Sequence, residues 1–193
     1  MPELAAILFG ALLVNNFVLA QFLGLCPFMG ATNNSGTALA MSYATTFVLT
    51  FSAVIAYGFF HWLLVPLNLE YLNIIVFIVV IAATVQGTEL FLRHSSPVLH
   101  QTLGIYLPLI TSNCAVLGVA ILAVQKDLSL FETAIFAIGA SLGFSLVMVL
   151  FAAMREKLQG AEIPAAFAGT PINLITAGIT AMAFMGFTGM MSP

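Results

Sequence analysis

Between Glu3 and Glu70 the chain carries no Asp, Glu, Lys or Arg. Few soluble folds survive a run that long without charge, because a soluble domain is typically about 25% charged. Here charged residues make up 6% of the whole chain and hydrophobic ones 62%. A water-soluble domain and a disordered chain are both excluded. Seven acids and four bases leave a net charge of -3. Four scattered cations cannot build the basic patch that a nucleic-acid binder needs. The remaining class is a polytopic membrane protein. At roughly 20 residues per spanning helix, the chain has room for about six or seven spans and no soluble domain.

The backbone can be satisfied in lipid by helices or by a closed barrel. A barrel would alternate apolar and polar residues with a period of two. Residues 74–83 and 142–153 are apolar on every face, so the expected class is all-α. Met1-Pro2-Glu3 lacks the basic opening of a secretory signal peptide. Leu25 is bulky where a lipoprotein cleavage site before Cys26 needs a small residue. The first segment is therefore expected to be retained as a span.

Polar punctuation divides the chain. Asn33-Asn34-Ser35-Gly36 forms a turn cluster, Pro66-Leu67-Asn68 a second turn, and Arg93-His94-Ser95-Ser96-Pro97 a polar loop. Gln125-Lys126-Asp127 and the stretch 155–169 complete the set. Six transmembrane helices follow, at about 4–31, 38–65, 72–91, 99–124, 131–154 and 172–191. The loops after spans 1, 3 and 5 hold Arg93, Arg155 and Lys157, and the other side holds Lys126. The excess of Lys and Arg puts the first set in the cytoplasm and both termini outside.

Six spans divide into three and three, and a repeat with an odd number of spans returns upside down. Cys26 and Cys114 are the only cysteines, and each begins a Cys-x-x-x-Gly run ending at Gly30 or Gly118. The reading is one membrane domain, 1–193, built from two inverted three-helix repeats at about 1–91 and 97–193. Helices 1 and 4 are expected to be interrupted. Span 1 carries Asn15-Asn16 and Gly24-Leu25-Cys26-Pro27, and span 4 carries Gly104, Pro108 and Thr111-Ser112-Asn113-Cys114. Interrupted helices at matching places in two halves point to a working site.

Three readings of the cysteines stand side by side. They can be small apolar packing residues, a disulfide locking the halves together, or soft-metal ligands. A zinc finger is excluded, since no Cys/His pair has ligand spacing. A [2Fe–2S] cluster takes four thiolates, so a chain with two would need two more from a partner. Asn15, Asn16, Gln86, Glu89, Thr111, Ser112 and Asn113 are costly in lipid unless paired. They either hold helices together or line an ion path or a cofactor. Glu89 can also sit at the membrane surface, with Arg93 one turn on. His61, His94 and His100 have no metal-pair spacing. A phosphate loop, a nucleophile elbow and a helix-borne zinc motif are all absent, which argues against a self-contained hydrolase or kinase.

Several runs carry a family resemblance: Asn15-Asn16-Phe17-Val18-Leu19, Phe22 to Gly30, Leu103 to Gly118, Gly143 to Ala153 and Leu174-Ile175-Thr176-Ala177-Gly178. Across essentially its whole length the chain resembles the RnfA/NqrE family of membrane subunits. Asn15 and Pro27 place it on the RnfA side, that of the bacterial Rnf electron-transport complex. The resemblance implies a multi-pass subunit of the bacterial inner membrane. It also implies a [2Fe–2S] cluster shared with a homologous RnfE-type subunit, with Cys26 and Cys114 as this chain's ligands. The implied complex couples electron transfer between NADH and ferredoxin-type carriers to Na⁺ or H⁺ translocation. Its B, C, D and G-type subunits carry flavins and further iron–sulfur clusters. The chain alone would not be an active enzyme. Two other classes fit the same broken helices: an ion-conducting subunit without redox activity, and an assembly scaffold with structural cysteines.

Overall fold

In a bilayer every backbone N–H and C=O must find a partner within the protein, and the described residues meet that demand with helices alone. The computed structural model describes residues 8, 10–14, 16–67, 70–95, 107–160, 162, 164, 167 and 169–188. A wide π-type turn at Gly10–Val14 leads into α1 (Phe17–Ala20), α2 (Leu25–Ala31) and α3 (Ser35–Phe59). A second wide turn, Phe60–Leu64, joins α3 to α4 (Val65–Leu67), just ahead of Pro66, which can donate no backbone bond. After the 3₁₀ turn Glu70–Leu72 come α5 (Asn73–Ser95), α6 (Leu107–Thr111), α7 (Cys114–Gln125), α8 (Leu130–Leu158) and α9 (Thr170–Thr188).

Among the described residues, three helical stretches are long and apolar enough to cross a membrane: Ser35–Leu67, Asn73–Leu90 and Leu130–Leu158. Two shorter apolar helices are Leu109–Gln125 and Thr170–Gly186. These fall at the expected positions of spans 2, 3, 5, 4 and 6, and the expected first span is divided into short pieces. Asn15, His100 and Gly104 lie outside the described residues.

α8 shows how the sequence sets one span. Ser129 and Glu132 form a reciprocal cap, with the Ser129 N–H donating to Glu132 Oε2 at 2.9 Å and the Glu132 N–H donating to Ser129 Oγ at 3.4 Å. Arg155 and Lys157 occupy its last turn, where cations suit the helix dipole. From Glu132 to Arg155 is about 34 Å of helix at 1.5 Å per residue, close to a hydrocarbon core of about 30 Å.

α8 is the spine of the bundle and packs along α3 more extensively than any other pair of elements. Thr46 Oγ1 and Ser145 Oγ meet across that seam at 3.2 Å. Each hydroxyl also reaches the carbonyl one turn back on its own helix, at Ser42 and Ser141, the usual device for hiding hydroxyls in lipid. Phe28 stacks on Phe151 at 4.1 Å between centroids, which pins α2 to α8. Tyr43, Phe47, Trp62, Ile75, Val79 and Met182 face outward, as they would toward acyl chains. At one end, Arg155 donates to the Met29 carbonyl and to Thr32 Oγ1 at 3.0 and 2.7 Å, and Ser35 Oγ donates to Glu156 at 2.8 Å. The turn after α2 and the end of α8 thus lie at the same end of the bundle.

Gly139 and Gly143 stand one turn apart on α8 and let the first segment lie directly on it. A Cβ on Gly143 would sit 2.8 Å from the Leu12 carbonyl oxygen and 3.2 Å from Asn16 Nδ2. Backbone oxygen cannot swing aside, so Gly143→Ala must push the first segment away and break the 2.9 Å bond from Asn16 Nδ2 to the Gly143 carbonyl. We expect a loss of about 2–4 kcal/mol from overpacking plus a lost buried bond. Gly178→Ala, where a Cβ meets nothing within 4 Å, should cost nothing. Denaturant unfolding of both variants in detergent tests the contrast.

Candidate cofactor site at two helix breaks

Both cysteines stand at the start of a new helix after a break. In the first break Asn16 is extended and caps α1, accepting from the Val18 N–H at 3.1 Å. α1 ends after four residues. Phe22 (φ +54°) and Gly24 (φ +84°) then take left-handed conformations, which L side chains other than Asn and Asp rarely adopt. α2 starts at Leu25, so Cys26 is its second residue. In the second break α6 stops at Thr111 and Asn113 is extended. Asn113 caps α7 by accepting from the Ala115 N–H at 3.0 Å, which makes Cys114 the first residue of α7.

Residues 101–106, just ahead of Pro108, lie outside the described residues. Pro27 acts differently from expectation, because it lies in the first turn of α2. There the missing N–H would have had no intrahelical partner in any case. The breaks come from Asn16, Phe22, Gly24 and Asn113.

The two breaks pack on one another. A Cβ on Gly24 would stand 3.0 Å from Asn113 Oδ1, 3.0 Å from the Phe144 ring and 3.4 Å from Ala115 Cβ. The glycines of the two Cys-x-x-x-Gly runs extend the contact reciprocally. Gly118 receives Leu23, whose Cδ1 lies 2.7 Å from where a Cβ would be, and Gly30 receives Leu109 at 3.3 Å. Each glycine thus makes room for a leucine just ahead of the other half's cysteine helix. Both thiols are free and exposed, while the asparagine caps behind them are buried. Cys114 Sγ has the Ser112 carbonyl at 3.9 Å. A cavity of about 610 Å³ lies between α5 and the second break, lined by Ile78, Ile81, Ala82, Asn113, Cys114 and Leu117 among others.

The other expected polar residues separate into different roles. Asn16 is an interhelical bond-maker, with Nδ2 donating to the carbonyls of Gly143 and Leu12. Asn113 is a cap whose Nδ2 is buried with no partner among the described residues. Gln86 is exposed and Glu89 half-buried on α5; Thr111 and Ser112 flank the second break. His61 is exposed and stacks on Tyr57 at 5.5 Å, and His94 is exposed. Among the described residues no three His, Cys, Asp or Glu side chains group to hold a metal ion. Sequence reasoning missed the seat that Gly139 and Gly143 make for the first segment, although their one-turn spacing is the known mark of close helix approach.

The chain matches the family described as "Rnf-Nqr subunit, membrane protein" over residues 4–191. Proteins named as the A-type subunit of the ion-translocating oxidoreductase complex are similar along its whole length. That of Alkalilimnicola ehrlichii is 58% identical over 190 residues, 98% of each chain. That of Alcanivorax borkumensis is 58% identical over 191 residues, again 98% of each. That of Hahella chejuensis is 53% identical over 192 residues, the full length of both.

Proposed function

The chain belongs to the Rnf-Nqr family of membrane subunits, and from that premise we propose that it is the A-type subunit of an ion-translocating oxidoreductase complex, holding half of a shared [2Fe–2S] site. The observation that carries the reading is the pair of exposed cysteines, each opening a helix at a break, with the two breaks packed against each other through Gly24 and Asn113.

The residues fit the group in number and chemistry. Two thiols are half of a four-thiolate set. In this reading the other pair comes from a homologous RnfE-type subunit. Exposure of Cys26 and Cys114 leaves them open to that partner. When bound, the cluster supplies one-electron acceptance and donation inside the membrane. The chain's own residues hold the ligands: Gly24 lets the two breaks touch, Leu23 and Leu109 lock them, and the Phe28–Phe151 stack ties α2 to the spine. The wider complex then couples electron transfer between NADH and ferredoxin-type carriers to movement of Na⁺ or H⁺, with other subunits carrying the flavins and remaining clusters.

The fold that serves this role is six spans in two inverted three-helix repeats. Support comes from the reciprocal Gly–Leu packing, Gly118 against Leu23 and Gly30 against Leu109. In the inner membrane, both termini lie on the periplasmic side. Reporter fusions after Arg93 and after Met191 should report cytoplasm and periplasm respectively; the same side for both would refute the topology. A second reading, an ion-conducting subunit without a redox centre, draws on the buried hydroxyls of Thr45, Ser52 and Thr133, which have no partner among the described residues.

One experiment separates the readings. Expressed without its homologue, the chain should bind no iron, and co-expressed with it the pair should carry one [2Fe–2S] cluster. A cluster in the isolated chain, or none in the pair, would overturn the shared-site reading.

A further inference from the structure

Asn16 and Asn113 are two asparagines in the same local role, and they differ in one atom. Each is extended, each is almost fully buried, and each spends its side-chain oxygen on the N–H two residues on. That capping bond fixes which end of the amide is oxygen. Asn16 then spends its Nδ2 on the carbonyls of Gly143 and Leu12. Asn113 Nδ2 is buried with no acceptor among the described residues. Buried donors are nearly always paired, and this one belongs to the residue just before Cys114, on the wall of the cavity that Cys114 also lines.

Resting on the shared-cluster reading above, we propose that Asn113 is a positioning residue that donates its free N–H to a sulfur of the iron–sulfur group ligated by Cys114, and thereby raises its reduction potential. A donor facing sulfur favours the reduced form, which carries one more negative charge. α7 adds to this, since its N-terminus, like that of any helix, carries partial positive charge.

The test uses the whole complex. Serine at 113 keeps a side-chain oxygen suited to a helix cap but has no amide N–H. In Asn113→Ser the cluster should assemble with its electron-spin signal intact. At a fixed applied potential its reduced-to-oxidised ratio should fall about tenfold, the weight of one charge-assisted bond. For a one-electron couple that is a shift of about 59 mV downward. Asn113→Asp keeps the capping oxygen, removes the donor and should shift the potential in the same direction. Asn16→Ser, whose Nδ2 serves Gly143, should leave the potential unchanged. In the unmutated complex, pulsed spin measurements with asparagine labelled by ¹⁵N at the side-chain amide should show coupling to the reduced cluster. Unchanged potentials in the Asn113 variants, or no side-chain amide coupling in the unmutated complex, overturn the proposal. A complex with no cluster at all would instead refute the reading on which it rests.

Discussion

Cys26→Ser, Cys114→Ser and the double substitution are each expected to abolish electron transfer through the complex, and to the same extent. The cysteines open two helices whose starting points touch, and in the proposed reading they act as one half-site. A thiolate pair that would hold one iron cannot do half its work with one member, because the coordination set would be incomplete. Residues that act as a unit give losses that do not add. Protein level and melting temperature should change little, because both thiols are exposed and carry little of the packing. Thr45→Ala, which removes a buried α3 hydroxyl that has no partner among the described residues, should leave turnover intact. If Cys26→Ser kept normal turnover while Cys114→Ser did not, Cys26 would be a packing residue after all.

Gly24→Ala should have the largest effect of any change that leaves the ligands in place. Two costs coincide at this position. The backbone sits at φ +84°, and an L side chain in the left-handed region costs about 1–2 kcal/mol. The new methyl would also lie 3.0 Å from both Asn113 Oδ1 and the Phe144 ring, and overpacking of that kind costs about 1–3 kcal/mol. Relief requires moving the Asn113 oxygen, which uncaps α7, or separating the two breaks, which parts the cysteine helices. We expect a total loss of about 2–5 kcal/mol together with loss of bound iron. Gly30→Ala makes the contrast. Its Cβ would meet only Leu109, with Cδ1 nearest at 3.3 Å, and a leucine methyl can yield, so iron content should be kept. Melting curves and iron analysis of the two purified variants would settle the comparison.

The long helices were legible in the sequence because lipid imposes a plain rule: about 20 apolar residues without charge, ended by polar turns. Ser35–Leu67, Asn73–Leu90 and Leu130–Leu158 follow from that rule alone. The breaks were legible too, as clusters of Asn and Gly beside the cysteines. Their geometry was not. Pro27, expected as a breaker, lies in the first turn of α2 instead, because a proline's effect depends on whether it falls in the first turn or later. Nor could the sequence reveal that Gly24 meets Asn113, since a contact between residues 24 and 113 depends on how α2, α7 and α8 converge. Asn16 and Asn113 look alike in the sequence as polar residues beside breaks. Only three-dimensional accounting of their amide groups tells the satisfied one from the unsatisfied one.

We propose that this chain contributes Cys26 and Cys114 to a [2Fe–2S] site completed by a homologous subunit. The most direct test of this proposal is the electron-spin spectrum of the intact, reduced complex, recorded alongside Cys26→Ser and Cys114→Ser complexes of verified subunit composition. One [2Fe–2S] signal should disappear in each variant, the same signal in both, while the signals of the remaining clusters persist. A full set of signals in either variant would contradict it.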